Sequence, residues 1–304
     1  MNKKIINTAG CILMIISFVF LLRRVAAMDV DWERLVDPAI IILLITMPFL
    51  NVTVIGLNAF CWGRSLALFS QSPVSNSDVF AVYAKSNLAK YLPGNVGHYA
   101  ARQMFASQIG LRQVHIALAS VFEIGYSSCS MLAVSALFSW DMLAKTVRMQ
   151  FGDGVLFWVC GAVVAVAGLF MAGYFLRRSK YAVEVRVLAA RPQFWLTMLG
   201  SLLLFAVSTF FVGSVFVLIM CQYAAVDIEG IFMLIGGCTA SYLIGFITPG
   251  VPGGIGVREA AMLFLLEPFF PGNQILLAAV VQRLTMIIGD MIVFPISRLF
   301  QTDR

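Results

Sequence analysis

Two stretches of this chain combine helix breakers with nearby charge in a way that could hold an anion. The first is Pro93-Gly94-Asn95-Val96-Gly97, with Lys90 before it and Arg102 after it; the second is Pro252-Gly253-Gly254-Ile255-Gly256, followed at once by Arg258 and Glu259. A helix restarting after such a turn offers unpaired N–H groups and the positive end of its dipole, which together suit a phosphate. Two further ionisable groups stand inside otherwise apolar runs: Glu123, thirty residues after Pro93, and Arg283, thirty-one after Pro252. A charge at the centre of a membrane helix costs about 2.5 to 3.5 kcal/mol on insertion scales, so each should face the interior and find a partner. Their matching places predict a mutual pair. Asp290 lies on the Arg283 stripe and Ser127 and Ser130 on the Glu123 face. Such a pair reads as a structural salt bridge or as a gate, and the turns read as an anion site or as glycines that allow close packing beside cations that snorkel to the interface.

Other chemistries find little support. His98 and His115 are the two histidines, so no histidine-based metal site is expected. The six cysteines (Cys11, Cys61, Cys129, Cys160, Cys221, Cys238) fall in or at the ends of apolar runs without a Cys-x-x-Cys pair, and read as small packing residues. No Walker A sequence, dinucleotide fingerprint or Gly-x-Ser-x-Gly elbow occurs, so neither a nucleotide-driven motor nor a cofactor is expected.

The elements that must position these residues are transmembrane helices. The chain has 304 residues, of which 61% are hydrophobic and 12% charged, with 25 phenylalanines and a mean hydropathy of +0.92; soluble domains do not have this composition. Uncharged runs able to span a bilayer, which takes roughly 20 helical residues, extend over Ile5–Leu22, Pro38–Gly63, Gly154–Leu176, Pro192–Val226 and Gly230–Val257. Gln113–Trp140 and Gln274–Ser297 are apolar apart from their ionisable groups, and Ile255–Phe270 is a short eighth candidate. The expected fold is an all-α, polytopic integral membrane bundle forming a single domain, 1–304, with the helix 5–22 retained and peripheral.

Lysine and arginine set the orientation. With the N-terminus inside, cytoplasmic segments hold Lys3, Lys4, Arg64, Arg112 and the cluster from Arg177 to Arg191, against Arg23, Arg24, Arg34, Lys145 and Arg148 outside. Eight crossings then put both termini in the cytoplasm; if the eighth candidate dips and returns, there are seven and the C-terminus moves outside. The net charge of +6 reads as this bias plus attraction to anionic head groups, and no nucleic-acid partner is expected.

From Arg64 to Arg112 the pattern is neither a clean span nor a simple loop. Val79, Val82 and Tyr83 recur at helical spacing until the chain breaks at Pro93-Gly94, and a second helical stretch follows from Tyr99 to Ile109. This predicts a re-entrant hairpin with its tip at the turn. The plan recurs where Ser241–Ile247 breaks at Thr248-Pro249-Gly250-Val251-Pro252 and a helix resumes from Ile255. Break, short helix, loop and span with one buried charge thus occur twice, an internal repeat with halves near 64–140 and 230–300. Four crossings between the two motifs would place both on one side, whereas an inverted repeat needs an odd number.

These motifs, above all Pro252-Gly253-Gly254-Ile255-Gly256-Val257-Arg258-Glu259-Ala260-Ala261, resemble the hallmark of the lysylphosphatidylglycerol synthase transmembrane region family, over most of the chain from about Arg64 onward. The resemblance implies a flippase-like membrane domain that moves lipids, in a stand-alone form without the soluble aminoacyl-transfer domain of fused members. The expected function is ATP-independent translocation or binding of an anionic lipid or lipid-linked intermediate across a bacterial-type cytoplasmic membrane. The expected substrate-binding residues are Lys90, Pro93, Gly94, Gly97, Arg102, Pro252, Gly253, Gly254, Gly256, Arg258 and Glu259. Two alternatives stay open: a membrane-embedded transferase or hydrolase acting on a lipid phosphate, with Glu123 or Glu259 as general base, and an accessory subunit of envelope biogenesis. Against the enzyme stands the lack of a paired-carboxylate, metal or nucleophile signature. Expected partners are the bilayer, an anionic head group or lipid-linked phosphate, and a second copy of the chain or envelope enzymes.

Overall fold

Helices account for nearly all of the computed structural model, which describes residues 37–70, 74–91, 97–151, 181–248, 252–254 and 256–299. In chain order these are α1 (Pro38–Ser70), α2 (Asn76–Asn87), α3 (Gly97–Ser107), α4 (Gln113–Phe151), α5 (Tyr181–Ala189), α6 (Pro192–Met220), α7 (Ile228–Ile247), α8 (Val257–Leu266) and α9 (Gly272–Leu299), with short 3-10 turns at Leu88–Tyr91 and Pro252–Gly254. Among the described residues five helices are long and apolar enough to cross a membrane: α1, α4 over Gln113–Leu143, α6, α7 and α9. The runs Ile5–Leu22 and Gly154–Leu176 lie outside the described residues.

Local sequence sets the ends. Pro192 opens α6, where a missing N–H costs nothing. Asp227 caps α7 by accepting from the Gly230 N–H at 2.8 Å. The run read as Pro192–Val226 stops at Met220, and Gly230–Val257 stops at Ile247, just ahead of Pro249, whose ring and missing N–H oppose a continued helix. The eighth candidate is corrected too. α8 has 10 residues, about 15 Å of helix, and is too short to cross the roughly 30 Å apolar core by itself.

Both hairpins are present: α3 packs back on α2, and α8 on α7. Lipid tails are as apolar as leucine, so close packing rather than water exclusion must hold such helices together. The most extensive contact, α4 on α7, shows how. The α4 backbone leaves helical geometry at Ser139 (φ −142°, ψ 29°), and the Ser139 hydroxyl donates to the Phe232 carbonyl at 2.8 Å. Gly236 leaves the space that Ser139 fills, and Gly237 the space for Leu266 of α8.

The packing pairs follow an exchange. Swapping α1–α4 with α6–α9 turns α4 on α7 into α9 on α2, α1 on α9 into α6 on α4, α1 on α2 into α6 on α7, and α3 on α4 into α8 on α9. The α1–α6 contact and the contact between the two 3-10 turns map onto themselves. The exchange takes in α1 and α6, which reach further upstream than the stretches 64–140 and 230–300. One apolar core gathers around α1, α2 and the start of α4, and another around α6 to α9 with the end of α4. Both contribute walls to a cavity lined by apolar and polar side chains.

Candidate functional site

In the first hairpin Arg102 of α3 is fully buried and forms an ion pair with Glu123 of α4. The other Glu123 oxygen accepts from the Tyr83 hydroxyl at 2.6 Å, and the Arg102 Nε–H reaches Ser86 Oγ at 3.4 Å. The guanidinium lies over the ring of Tyr83 at 4.0 Å, with Trp62 at 5.1 Å and Tyr99 at 5.6 Å. An arginine enclosed by aromatic faces and a carboxylate is neutralised where it stands. Arg102 was expected to serve the anion site; it instead completes this box, and it does not line the cavity.

The second hairpin repeats the device with polarity reversed. Glu259 of α8 pairs with Arg283 of α9 at 2.8 Å, while its second oxygen accepts from the Gly256 N–H at 2.6 Å. The start of α8 thus already holds a carboxylate, which satisfies a donor and faces the positive dipole end. The Gly256 N–H is taken by Glu259 rather than left for a phosphate.

The mutual Glu123–Arg283 pair does not form. Each hairpin folds its short helix onto the long helix of its own half, so Arg102 meets Glu123 and Glu259 meets Arg283. Asp290 serves neither arginine. It accepts from Lys90 at 2.7 Å, from Asn87 at 2.8 Å and from the Tyr91 hydroxyl, tying the tip of the first hairpin to α9.

The two tips converge. A Cβ placed on Gly253 would stand 3.5 Å from the Tyr91 ring and 3.7 Å from the Lys90 carbonyl. Beside them is a cavity of about 190 Å³ whose wall includes Lys90, His98, Glu123, Gly253, Arg258 and Arg283. Arg258 lies over the Tyr242 ring at 4.2 Å. It makes no salt bridge among the described residues, and its buried Nε has no hydrogen-bond partner. His98 Nδ1, Asn58 Oδ1 and Ser208 Oγ, on the same wall, are also buried and have no partner among the described residues. Buried polar atoms are normally paired, so four orphans around one cavity mark a place for a polar ligand or water.

Glycines make room for Arg258. At Gly254 the backbone is left-handed (φ +69°), and a Cβ there would come within 2.7 Å of Arg258 Nε. Gly254→Ala should therefore cost about 1 to 2 kcal/mol in backbone strain and displace the guanidinium; a lowered melting temperature of the purified variant, together with weakened anion binding, is the expected result. Gly253 (φ +55°) and Gly256 (φ +87°) share the left-handed turn.

Of the expected site residues, then, Lys90, Gly253, Arg258, Glu123 and Arg283 line the cavity, while Arg102, Glu259 and Asp290 stand behind as partners. Gly254 and Gly256 shape the second turn, Pro252 begins its 3-10 segment, and Gly97 begins α3. Pro93 and Gly94 lie outside the described residues. Sequence reasoning missed the tyrosines that stack on the two arginines, although a signal existed: Tyr83 stands ten residues before Pro93, and Tyr242 ten before Pro252. Among the described residues no three His, Cys, Asp or Glu side chains gather to hold a metal.

Fold and site together define a polytopic α-helical membrane protein whose two helical hairpins meet at a cavity with charged side chains on its wall. The model of the lysylphosphatidylglycerol synthase TM region family matches residues 7–293, nearly the whole chain, and the protein belongs to that family. No curated protein and no solved structure gives a match.

Proposed function

We propose that this protein binds the phosphate of an anionic lipid in the cavity between the two hairpins and lets the head group cross between leaflets of a bacterial-type cytoplasmic membrane without ATP. The observation that carries this reading is Arg258, an arginine on the cavity wall with no carboxylate on it among the described residues and with a buried, unpartnered Nε. Intramembrane cations left in that condition mark ligand pathways. A cavity of about 190 Å³ is below the roughly 300–1000 Å³ of sites that enclose a drug-sized ligand. It suits a head group whose tails remain in lipid. The packing exchange supports two repeated halves, 38–151 and 192–299, with the site at their junction, the position such repeats favour. Charge bias supports a cytoplasmic N-terminus.

A transferase or hydrolase would need Glu123 or Glu259 as general base. Both oxygens of each are already engaged by a cation and a hydrogen-bond donor, which favours transport over catalysis. The test is reconstitution into liposomes with fluorescent anionic lipid in one leaflet. Exchange to the other leaflet, with the lipid chemically unchanged and no nucleotide present, is the expected result; covalently altered lipid, or exchange no faster than in empty liposomes, would refute the proposal.

A further inference from the structure

If the ligand is a lipid phosphate, as proposed above, the charges around the cavity state how much negative charge it brings. Four formally charged side chains line the wall: Lys90, Glu123, Arg258 and Arg283. Three are neutralised from behind, Lys90 by Asp290, Glu123 by Arg102 and Arg283 by Glu259. Residues 92–96, 249–251 and 255, which complete the two turns, are Leu-Pro-Gly-Asn-Val, Pro-Gly-Val and Ile, and carry no ionisable side chain. With His98 neutral, the described residues and these two turns leave the cavity one positive charge, on Arg258. We propose that the site is matched to a group carrying a single negative charge, a phosphodiester, and selects against phosphomonoesters and pyrophosphates.

The physical reason is the low dielectric of the surroundings. There a charge is tolerated only when an opposite charge is close, and a second negative charge could be met only by opening one of the three existing pairs. A diester places its one charge against Arg258 and its remaining oxygens near the orphan atoms of His98, Ser208 and Asn58, none of which alters the charge count. A phosphomonoester carries about −1.5 to −2 near neutral pH, and would leave up to one charge unmet. The three pairs therefore serve selectivity: two hold a cation at the wall, Lys90 and Arg283, and withhold it from the ligand, and the third cancels the one carboxylate there, Glu123.

The experiment uses the purified full chain in an uncharged sugar detergent at pH 8, and reads apparent affinity from ligand-dependent thermal stabilisation, which follows mass action. The probes are phosphatidylglycerol, a diester, phosphatidic acid, a monoester, and soluble dimethyl phosphate. The wild type should bind phosphatidylglycerol at least about tenfold more tightly than phosphatidic acid, the ratio worth about 1.4 kcal/mol. Asp290→Asn releases Lys90, raises the cavity to two positive charges and should turn the preference toward phosphatidic acid. Should that variant not fold, Glu259→Gln releases Arg283 and makes the same prediction. Equal affinity for both lipids in the wild type, or an unchanged ratio in a folded releasing variant, overturns the single-charge inference. No stabilisation by either lipid overturns the lipid-phosphate reading beneath it. Dimethyl phosphate binding as tightly as phosphatidylglycerol would keep the single charge and identify a soluble diester as the ligand.

Discussion

Truncating Arg258 to alanine is expected to reduce lipid exchange in reconstituted liposomes to the protein-free rate while leaving the protein folded. Both halves of this expectation come from the same geometry. Arg258 has no carboxylate partner among the described residues and its Nε bonds nothing, so its removal strands no opposite charge. What the fold loses is its stacking on Tyr242, about 0.5 to 2 kcal/mol, offset by the relief of a buried, unpaired cation. The ligand, by contrast, loses the one charge on the wall left uncompensated among the described residues. Hydrogen bonds to charged groups contribute about 1.5 to 3 kcal/mol each, so losing one should weaken anion binding by about 10- to 150-fold. Arg258→Lys should fall between, since it keeps the charge and loses the planar fork that fits two phosphate oxygens. Melting temperature and exchange rate measured on one preparation separate the effects, and exchange at the wild-type rate in a folded Arg258→Ala protein would remove Arg258 from the site.

Glu123→Ala should behave in the opposite way, costing folded protein before it costs function. It leaves the Arg102 guanidinium, fully buried, without its counter-charge, and the Tyr83 hydroxyl without its acceptor. Breaking one side of a buried pair costs about 3 to 5 kcal/mol, a large part of the stability of an ordinary domain. Replacing both partners with apolar residues, Arg102→Met with Glu123→Leu, removes the uncompensated charge and is expected to restore most of the melting temperature. A melting temperature near the wild-type value for Glu123→Ala alone would show that the pair is not holding the hairpin. If the double variant folds and still exchanges lipid, the pair is structural; if it folds and exchange stops, the pair also gates the path.

Much of this could be read from the chain alone. Composition settles the solvent, because a chain this apolar and this poor in charge is stable only when lipid faces its surface. The two Pro-Gly breaks, and the buried charge about thirty residues after each, are one-dimensional signals, and in the structure the helices on either side of each break pack against one another. The tyrosine ten residues before each break belongs to the same signal, visible once Tyr83 and Tyr242 are seen to stack on arginines.

Partner choice was different. Helical spacing says which residues share a stripe, and says nothing of which stripe another helix will face. Glu123 and Arg283 looked like natural partners because their places in the two halves correspond, yet each hairpin returns a nearer charge to its own long helix. Glu259 turned inward to cap its own helix as well as to meet Arg283, and Asp290 crossed to the other half to hold Lys90 and Tyr91. Sequence alone therefore determined that buried charges of both signs exist near two broken helices. Only the three-dimensional packing decided which cations are neutralised and that Arg258, among the described residues, is left unpaired at the cavity, because Coulombic pairing acts over a few ångströms of space and is indifferent to distance along the chain.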